Sequence, residues 1–318
     1  MAGAGRSGST ILGNVLGQIP GFFYGGELTE IGRKSLKENR LCGFNVPLRD
    51  SEVWRQVLEG AFGSLDQAEA ELCHEGTFDP LRNWRLLSQT KRQRYLERRR
   101  ELLPSLAKLY TGIDRFGGGR VVVDSSHVPL YAYLLDNVPE LELYVIHLIR
   151  DPRAVAFSWQ RQKVQPDPNQ PWKMRKHPVS LAATMWCASQ IMFERIWQPG
   201  APRVLRLLYE DFVAEPRAQI ARILEFVGEP DATTPFVSDH EVNLEPTPCV
   251  FGNPDRFRLG RVALRSDDEW TRSMRWLDKT QVTSMCWPWL WKYGYLSAKR
   301  RPATASVERD VPATSGKA

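Results

Sequence analysis

The sequence predicts a three-layer α/β fold, with a central, mostly parallel sheet flanked by helices. Two observations carry this. Short apolar or β-branched runs, Val121–Val123, Leu143–Ile149 and Val204–Leu208, alternate with helical stretches, and such alternation favours parallel pairing through right-handed crossovers. Each predicted strand, with a further one placed just before Gly3, also runs into a polar or basic motif. The motifs are Gly3–Thr10 (GAGRSGST), Asp124–His127 (DSSH), Arg150–Arg153 (RDPR) and Tyr209–Asp211 (YED). Ligands bind beyond the carboxyl ends of strands in open parallel sheets, so the four motifs should converge on one site.

The elements follow in order. Gly5–Thr10 reads as a tight loop, and Ile11, Leu12, Val15 and Leu16 continue it at helical spacing. Asp50-Ser51 opens a helix ahead of Val53, Trp54, Val57 and Leu58, and Ser88 caps another that runs to about Pro104, with more helix to Tyr110. Gly117-Gly118-Gly119 breaks the chain before the valine strand. Leu130, Tyr131, Leu134 and Leu135 mark a helix, Leu143–Ile149 a strand, and Ala154–Gln160 the start of a helix. Gln165–Pro178, proline-rich and basic, reads as a mobile loop over the site. Ser180–Trp197 is helical, Val204–Leu208 a strand, Glu215–Val227 an amphipathic helix and Pro246–Leu259 irregular. The expected organisation is one domain over residues 1–297 and a disordered tail over 298–318, where Lys, Arg, Pro, Thr, Ser and Ala dominate.

Composition narrows the function. A 42% apolar fraction over 318 residues supports a substantial core. No run reaches the roughly 20 apolar residues of a membrane span, and the first residues form a motif instead of a secretory leader. Five scattered cysteines without a CxxC pair read as reduced thiols in the cytoplasm. The net charge of +6 favours an anionic ligand. The basic run Lys91–Arg100 reads as a solvated helix face, and no nucleic-acid-binding signature is present.

The chemistry lies in the motifs. Gly3, Gly5 and Gly8 match the GxGxxG dinucleotide spacing, but only Met1-Ala2 precede them where that fingerprint needs a strand. Read instead as a P-loop variant, the loop amides and helix N-terminus wrap an anion, Ser9 and Thr10 add hydroxyls, and Arg6 stands in the place of a nucleotidase lysine. Without that lysine, ATP hydrolysis is disfavoured. Arg150 ends a strand and Ser158 follows about two helical turns later, so a guanidinium fork and a hydroxyl can share one phosphate. Arg153 falls at the same helix N-terminus, an unfavourable place for a cation unless an anion joins it. No cluster has metal-ligand spacing.

Together these residues resemble the sulfotransferases that use 3′-phosphoadenosine 5′-phosphosulfate (PAPS), which implies a P-loop-like fold. Arg6-Ser7-Gly8-Ser9-Thr10 resembles that family's 5′-phosphosulfate loop, and Arg150 with Ser158 its 3′-phosphate site. Asp124-Ser125-Ser126 is similar to a segment of many bacterial members. Tyr209-Glu210-Asp211-Phe212 is similar to a YED-type segment, and Gly252-Asn253-Pro254-Asp255-Arg256 to a late loop that closes over the nucleotide. The resemblance therefore implies nucleotide contacts from Arg6, Ser7, Gly8, Ser9, Thr10, Arg150, Ser158, Tyr209, Gly252, Asn253 and Arg256. It further implies sulfuryl transfer from PAPS to an acceptor hydroxyl or amine, leaving adenosine 3′,5′-bisphosphate, without a metal.

Phe22-Phe23-Tyr24-Gly25-Gly26-Glu27 is similar to the GGE segment of protein-tyrosine and related sulfotransferases, which makes Glu27 the candidate general base. The glycines permit close backbone approach, and the aromatics would raise the carboxyl pKa by desolvation. Glu30, one helical turn on, is its competitor, and an ordinary helix-start carboxylate is the plainer reading of Glu27. Arg6 and His127 complete the catalytic set; His127 stands where many relatives carry lysine, and a histidine need not be charged at neutral pH. His147 reads as a core histidine, and Trp287, Trp289, Trp291, Tyr293 and Tyr295 as residues that pack a C-terminal element onto the core. The short run before Gly3 implies either a start upstream of Met1 or a short edge strand. An ATP-using kinase-like transferase and a non-catalytic nucleotide-binding protein are the rival readings. The basic loop Arg161–His177 and the aromatics Phe22–Tyr24 point to an aromatic or anionic acceptor.

Overall fold

The computed structural model describes residues 1–73, 83–118, 121–165, 172–198 and 200–297. The chain opens with β1 (Ala2–Gly3), α1 (Ser9–Leu16) and β2 (Phe22–Gly26), followed by a 3-10 turn (Leu28–Glu30) and a π-helix (Ile31–Lys37). Four helices follow: α2 (Glu52–Phe62), α3 (Leu65–Leu72), α4 (Gln89–Arg98) and α5 (Leu102–Gly117). Next come β3 (Val121–Asp124), α6 (Pro129–Leu135), β4 (Val145–Ile149), α7 (Pro152–Gln160) and the two-residue strands β5 (Val164–Gln165) and β6 (Trp172–Lys173). The remainder is α8 (Val179–Ile196), β7 (Val204–Leu208), α9 (Tyr209–Ala214), α10 (Pro216–Phe226), β8 (Glu241–Leu244), β9 (Gly260–Ala263), α11 (Glu269–Ser273) and α12 (Trp276–Lys292).

The central strands are parallel. β4 pairs with β1 on one side and β7 on the other, and β2 pairs with β3. An isolated parallel bridge, Ala2 to His127, joins the two groups, reinforced by Gly3 N–H donating to the His127 carbonyl at 3.1 Å. The resulting order is β2-β3-β1-β4-β7. All five residues of β4 are buried. Its side chains alternate, as a strand covered on both faces requires. Ile146 and Leu148 join a cluster with Leu12 and Leu16 of α1 and Ile223 and Leu224 of α10. Ile149 joins the opposite cluster, with Val155 of α7, Trp186 of α8 and Leu290 of α12. A third cluster packs α2, α3 and α5 around Trp54 and Leu106. The three-layer expectation is met.

His147 is the core histidine expected. Its Nε2 lies 2.8 Å from Gln190 Oε1, and its ring stacks on Phe193 at 3.7 Å. Burial pushes its pKa down to about 4, which leaves it neutral.

Some elements differ from expectation. The sequence hid β2, because two glycines in five residues obscure a strand pattern. It also hid the antiparallel β8–β9 pair, whose strands flank the irregular segment. Within Gln165–Pro178, Trp172–Lys173 returns to pair with Val164–Gln165, so part of the expected loop is a small ladder; residues 166–171, like Gly119 and the tail 298–318, lie outside those described. The C-terminal aromatics divide: Trp289, Tyr293 and Tyr295 pack inward, while Trp287 and Trp291 are exposed. Residues four apart share a helix face, so these two tryptophans stand together on a different face from Cys286 and Leu290.

Candidate active site

The four motifs meet in one cleft of about 430 Å³. Gly5, Arg6, Gly8, Ser9 and Thr10 form its floor, Arg150, Ser158 and Tyr209 one wall, and Gly252 and Asn253 another, with Glu27 and His127 between them. Two predicted residues stand apart: neither Ser7 nor Arg256 lines the cleft, and both are buried.

The loop's backbone explains its sequence. Arg6 has φ +67° and Gly8 φ +95°. A Cβ on Gly8 would also fall 2.3 Å from the Tyr209 ring, so this position needs glycine on both counts. Tyr209 in turn carries the Arg150 guanidinium over its face at 4.5 Å, and Arg6 lies over Trp159 at 4.9 Å. Among the described residues, Nε and Nη1 of Arg6 and Nε of Arg150 are buried without a hydrogen-bond partner. Buried donors of this kind are costly unless something accepts from them. Arg150 is held by the Arg6 carbonyl at 3.2 Å and by Asp267 at 2.9 Å, a carboxylate that reaches it across 117 residues of sequence.

Arg153 is not part of this cation set. Its anion is the helix's own cap: Asp151 accepts from the Arg153 amide at 2.8 Å and from its guanidinium at 2.6 Å. The arginine also stacks on Trp270. Glu210 of the YED segment is structural as well, accepting from the Asp151 amide at 3.0 Å and the Tyr295 hydroxyl at 2.6 Å.

Glu27 sits where three segments touch. Val250 N–H donates to the Gly25 carbonyl, Glu27 N–H to the Val250 carbonyl, and Ser125 N–H to the Gly26 carbonyl. A Cβ on Gly26 would fall 2.2 Å from the Val250 oxygen, which is why the residue just before Glu27 is glycine. Burial, reinforced by the charge of Glu30, pushes the Glu27 carboxyl up to about 8. Glu30 itself is paired with the exposed Arg33 at 2.9 Å and does not line the cleft.

The segment before His127 ties this turn down. Ser125 Oγ and the Tyr24 hydroxyl are 3.0 Å apart, Ser126 Oγ accepts from the Thr29 amide, and Asp124 accepts from the Ser126 amide and the Tyr110 hydroxyl. His127 has φ +49° and its Nδ1 lies 3.2 Å from the Ser125 carbonyl. A carbonyl can only accept, so Nδ1 carries the proton and Nε2, beside Gly5, keeps a lone pair until a second proton arrives. Burial lowers the pKa of the ring, so it is neutral at pH 7.

The sequence reading missed Trp159, Lys163, Met174 and Asp267, all of which line the cleft. Lys163 bridges Asn253 at 3.3 Å and Asp255 at 2.5 Å, which fastens the chain after α7 to the late loop. The only sequence signal for this was the basic character of Arg161–His177. Among the described residues no group of three or more His, Cys, Asp and Glu side chains is disposed to hold a metal ion, and no helix is long and apolar enough to cross a membrane.

A parallel sheet with a glycine-rich, arginine-bearing loop at its carboxyl edge and a second arginine beside it places the chain in a class of α/β proteins suited to anionic ligands. Within that class the chain belongs to the Sulfotransferase family, whose model matches residues 1–233. Among curated proteins it is 27% identical over 198 residues to carbohydrate sulfotransferase 4 of Mus musculus, covering 58% of this chain and 50% of the mouse protein. The chain thus spans about half the length of that relative. Among solved structures it superposes on the sulfotransferase domain from the curacin biosynthetic pathway with a TM-score of 0.50 at 15% identity, over 91% of this chain and 95% of that one. The sulfotransferase domain of the Synechococcus PCC 7002 olefin synthase gives a TM-score of 0.49 at 19% identity, over 89% and 91% of the two chains. Sulfuryl transfer is the general chemistry of the family.

Proposed function

We propose that this chain transfers a sulfuryl group from PAPS to the hydroxyl or amine of an acceptor, with Glu27 as general base. The observation that carries the reading is the joint placement, in one cleft, of unpartnered guanidinium donors from Arg6 and Arg150 and of a largely covered carboxyl at Glu27, 17% exposed. Two arginines with free donors suit a ligand with two separate anionic groups. The loop amides, Arg6, Ser9 and Thr10 hold the oxygens of the 5′-phosphosulfate. Arg150 and Ser158 hold the 3′-phosphate, with Tyr209 as the surface that keeps Arg150 extended, and Gly252 and Asn253 contribute the covering loop. Arg256 supports that loop from within.

The reaction breaks the S–O bond to the nucleotide phosphate and forms an S–O bond to an acceptor hydroxyl, or an S–N bond to an amine, so charge must be held on the departing oxygens while the acceptor loses a proton. Glu27 takes that proton once ionised. Arg6 stabilises the departing charge, and His127 can add a hydrogen bond from Nε2 only after that nitrogen takes a proton from solvent, which a bound anion beside the ring favours. No metal has a part in this proposal.

Calorimetry with adenosine 3′,5′-bisphosphate, AMP and ATP, without magnesium, tests it. The expected result is selective binding of the bisphosphate that is lost in Arg150→Ala. Equal binding of all three would overturn the PAPS assignment, and a preference for ATP that appears when the titrations are repeated with magnesium would favour a kinase-like transferase. Bisphosphate binding without sulfuryl transfer to any hydroxyl or amine would favour a non-catalytic nucleotide-binding protein.

A further inference from the structure

The face of α12 that points away from the core is apolar and uncharged. Trp276, Trp287 and Trp291 are 71%, 59% and 75% exposed, and Leu277 is exposed beside them. At about 100° per residue the three tryptophans fall within a wedge of about 60°, with Thr280 and Ser284 alongside. The neighbouring face, about 110° round the helix through Val282, Cys286 and Leu290, is buried against α7 and α8. The exposed indoles are therefore not displaced core residues; the helix already has its core contact. Tryptophan is the side chain most costly to leave in water without reason and the one most suited to a boundary between polar and apolar media.

We propose that this face of α12 docks the protein on an anionic lipid surface, with the indoles at headgroup depth. Charge supports a lipid partner. Between Arg272 and Lys292 the chain carries four basic residues and one acidic residue; Arg272 faces Asp268 at 3.5 Å and Lys292 faces Glu194 at 2.7 Å, so the exposed Arg275 just ahead of the helix, with the net charge of +6 over the whole chain, supplies the attraction. A polar or basic border around exposed Trp and Leu is the pattern of interfacial helices. The inference does not rest on the sulfotransferase reading, because none of these residues lines the cleft.

The test is sedimentation of the full chain with phosphatidylglycerol-containing vesicles and with pure phosphatidylcholine vesicles, beside gel filtration without lipid. The protein should sediment with the anionic vesicles and much less with the neutral ones. W276A/W287A/W291A should lower vesicle affinity about tenfold or more, with unchanged circular dichroism and unchanged binding of adenosine 3′,5′-bisphosphate. Replacing Arg275 by glutamine should weaken anionic binding by roughly fivefold. Failure to sediment with either vesicle would overturn the proposal. So would a triple variant that binds vesicles as well as the parent, or a lipid-free dimer that the triple variant abolishes, which would make the face a contact between copies.

Discussion

At the scale of single residues, Glu27 and Asp267 make the clearest predictions. A base with a pKa pushed up to about 8 is mostly protonated at neutral pH, so kcat/KM should rise with pH and level off above about 8. Glu27→Gln should lower kcat by about 10²–10⁴-fold and flatten that profile while leaving bisphosphate affinity intact; a limb that survives in the variant belongs to another group. The same shift has a stability consequence of definite sign. The native state binds the Glu27 proton more tightly than the unfolded chain, so stability contributed by this site is full below the ordinary carboxyl pKa and falls as pH rises toward 8. Glu27→Gln should therefore match the parent in thermal melts near pH 4 and exceed it near pH 8, by on the order of a few kcal/mol. Asp267 occupies a donor of Arg150 at 2.9 Å from a position 41% exposed. A bound 3′-phosphate would have to displace it, so Asp267→Asn should tighten adenosine 3′,5′-bisphosphate several-fold in calorimetry, and most at low salt. A weaker complex would mean that Asp267 aligns Arg150 instead of competing for it.

At the scale of elements, the loop after Val250 acts as the ceiling over Glu27. Arg256 is 3% exposed and donates to the carbonyls of Gly252 at 3.1 Å and Leu41 at 3.0 Å, which pins the loop to the chain beyond the π-helix. Gly252, at φ +111°, leaves room that a Cβ would take 2.8 Å from Glu27 Oε1. Gly252→Ala should lower kcat about tenfold or more and move the pH limb, and the strain of a Cβ at φ +111° should lower the melting temperature as well. Arg256→Met, which removes the buried donor of two carbonyls, should lower the melting temperature by the equivalent of about 1–3 kcal/mol. This is also the scale at which the sequence was most and least legible. Val121–Val123 and Val204–Leu208 announce strands because β-branched and apolar runs have few other uses between helices. The anion loop and Arg150 with Ser158 were legible because each is a local pattern. Phe22–Gly26 was not, because its glycines serve the approach of Val250, a partner more than 200 positions away. Asp267, Trp159 and Lys163 entered the site through contacts that no local pattern encodes.

At the scale of the molecule, the cleft is a seam between distant parts of the chain. Its floor comes from residues 5–11, its walls from 150–163 with Met174, and its far side from 251–267. The match to the family model ends at residue 233, yet Val262 and Leu264 belong to the same core as Leu12 and Ile146. A chain ended after Val250 should therefore lose adenosine 3′,5′-bisphosphate binding while it keeps Arg6, Arg150 and Ser158; retained binding would reduce residues 251–267 to a cover. This layout also sets a schedule for synthesis. At roughly 5–20 residues per second, Arg150 leaves the ribosome some 6–23 seconds before Asp267 does. For that interval the nascent polypeptide holds a buried-to-be arginine without its neutralising carboxylate.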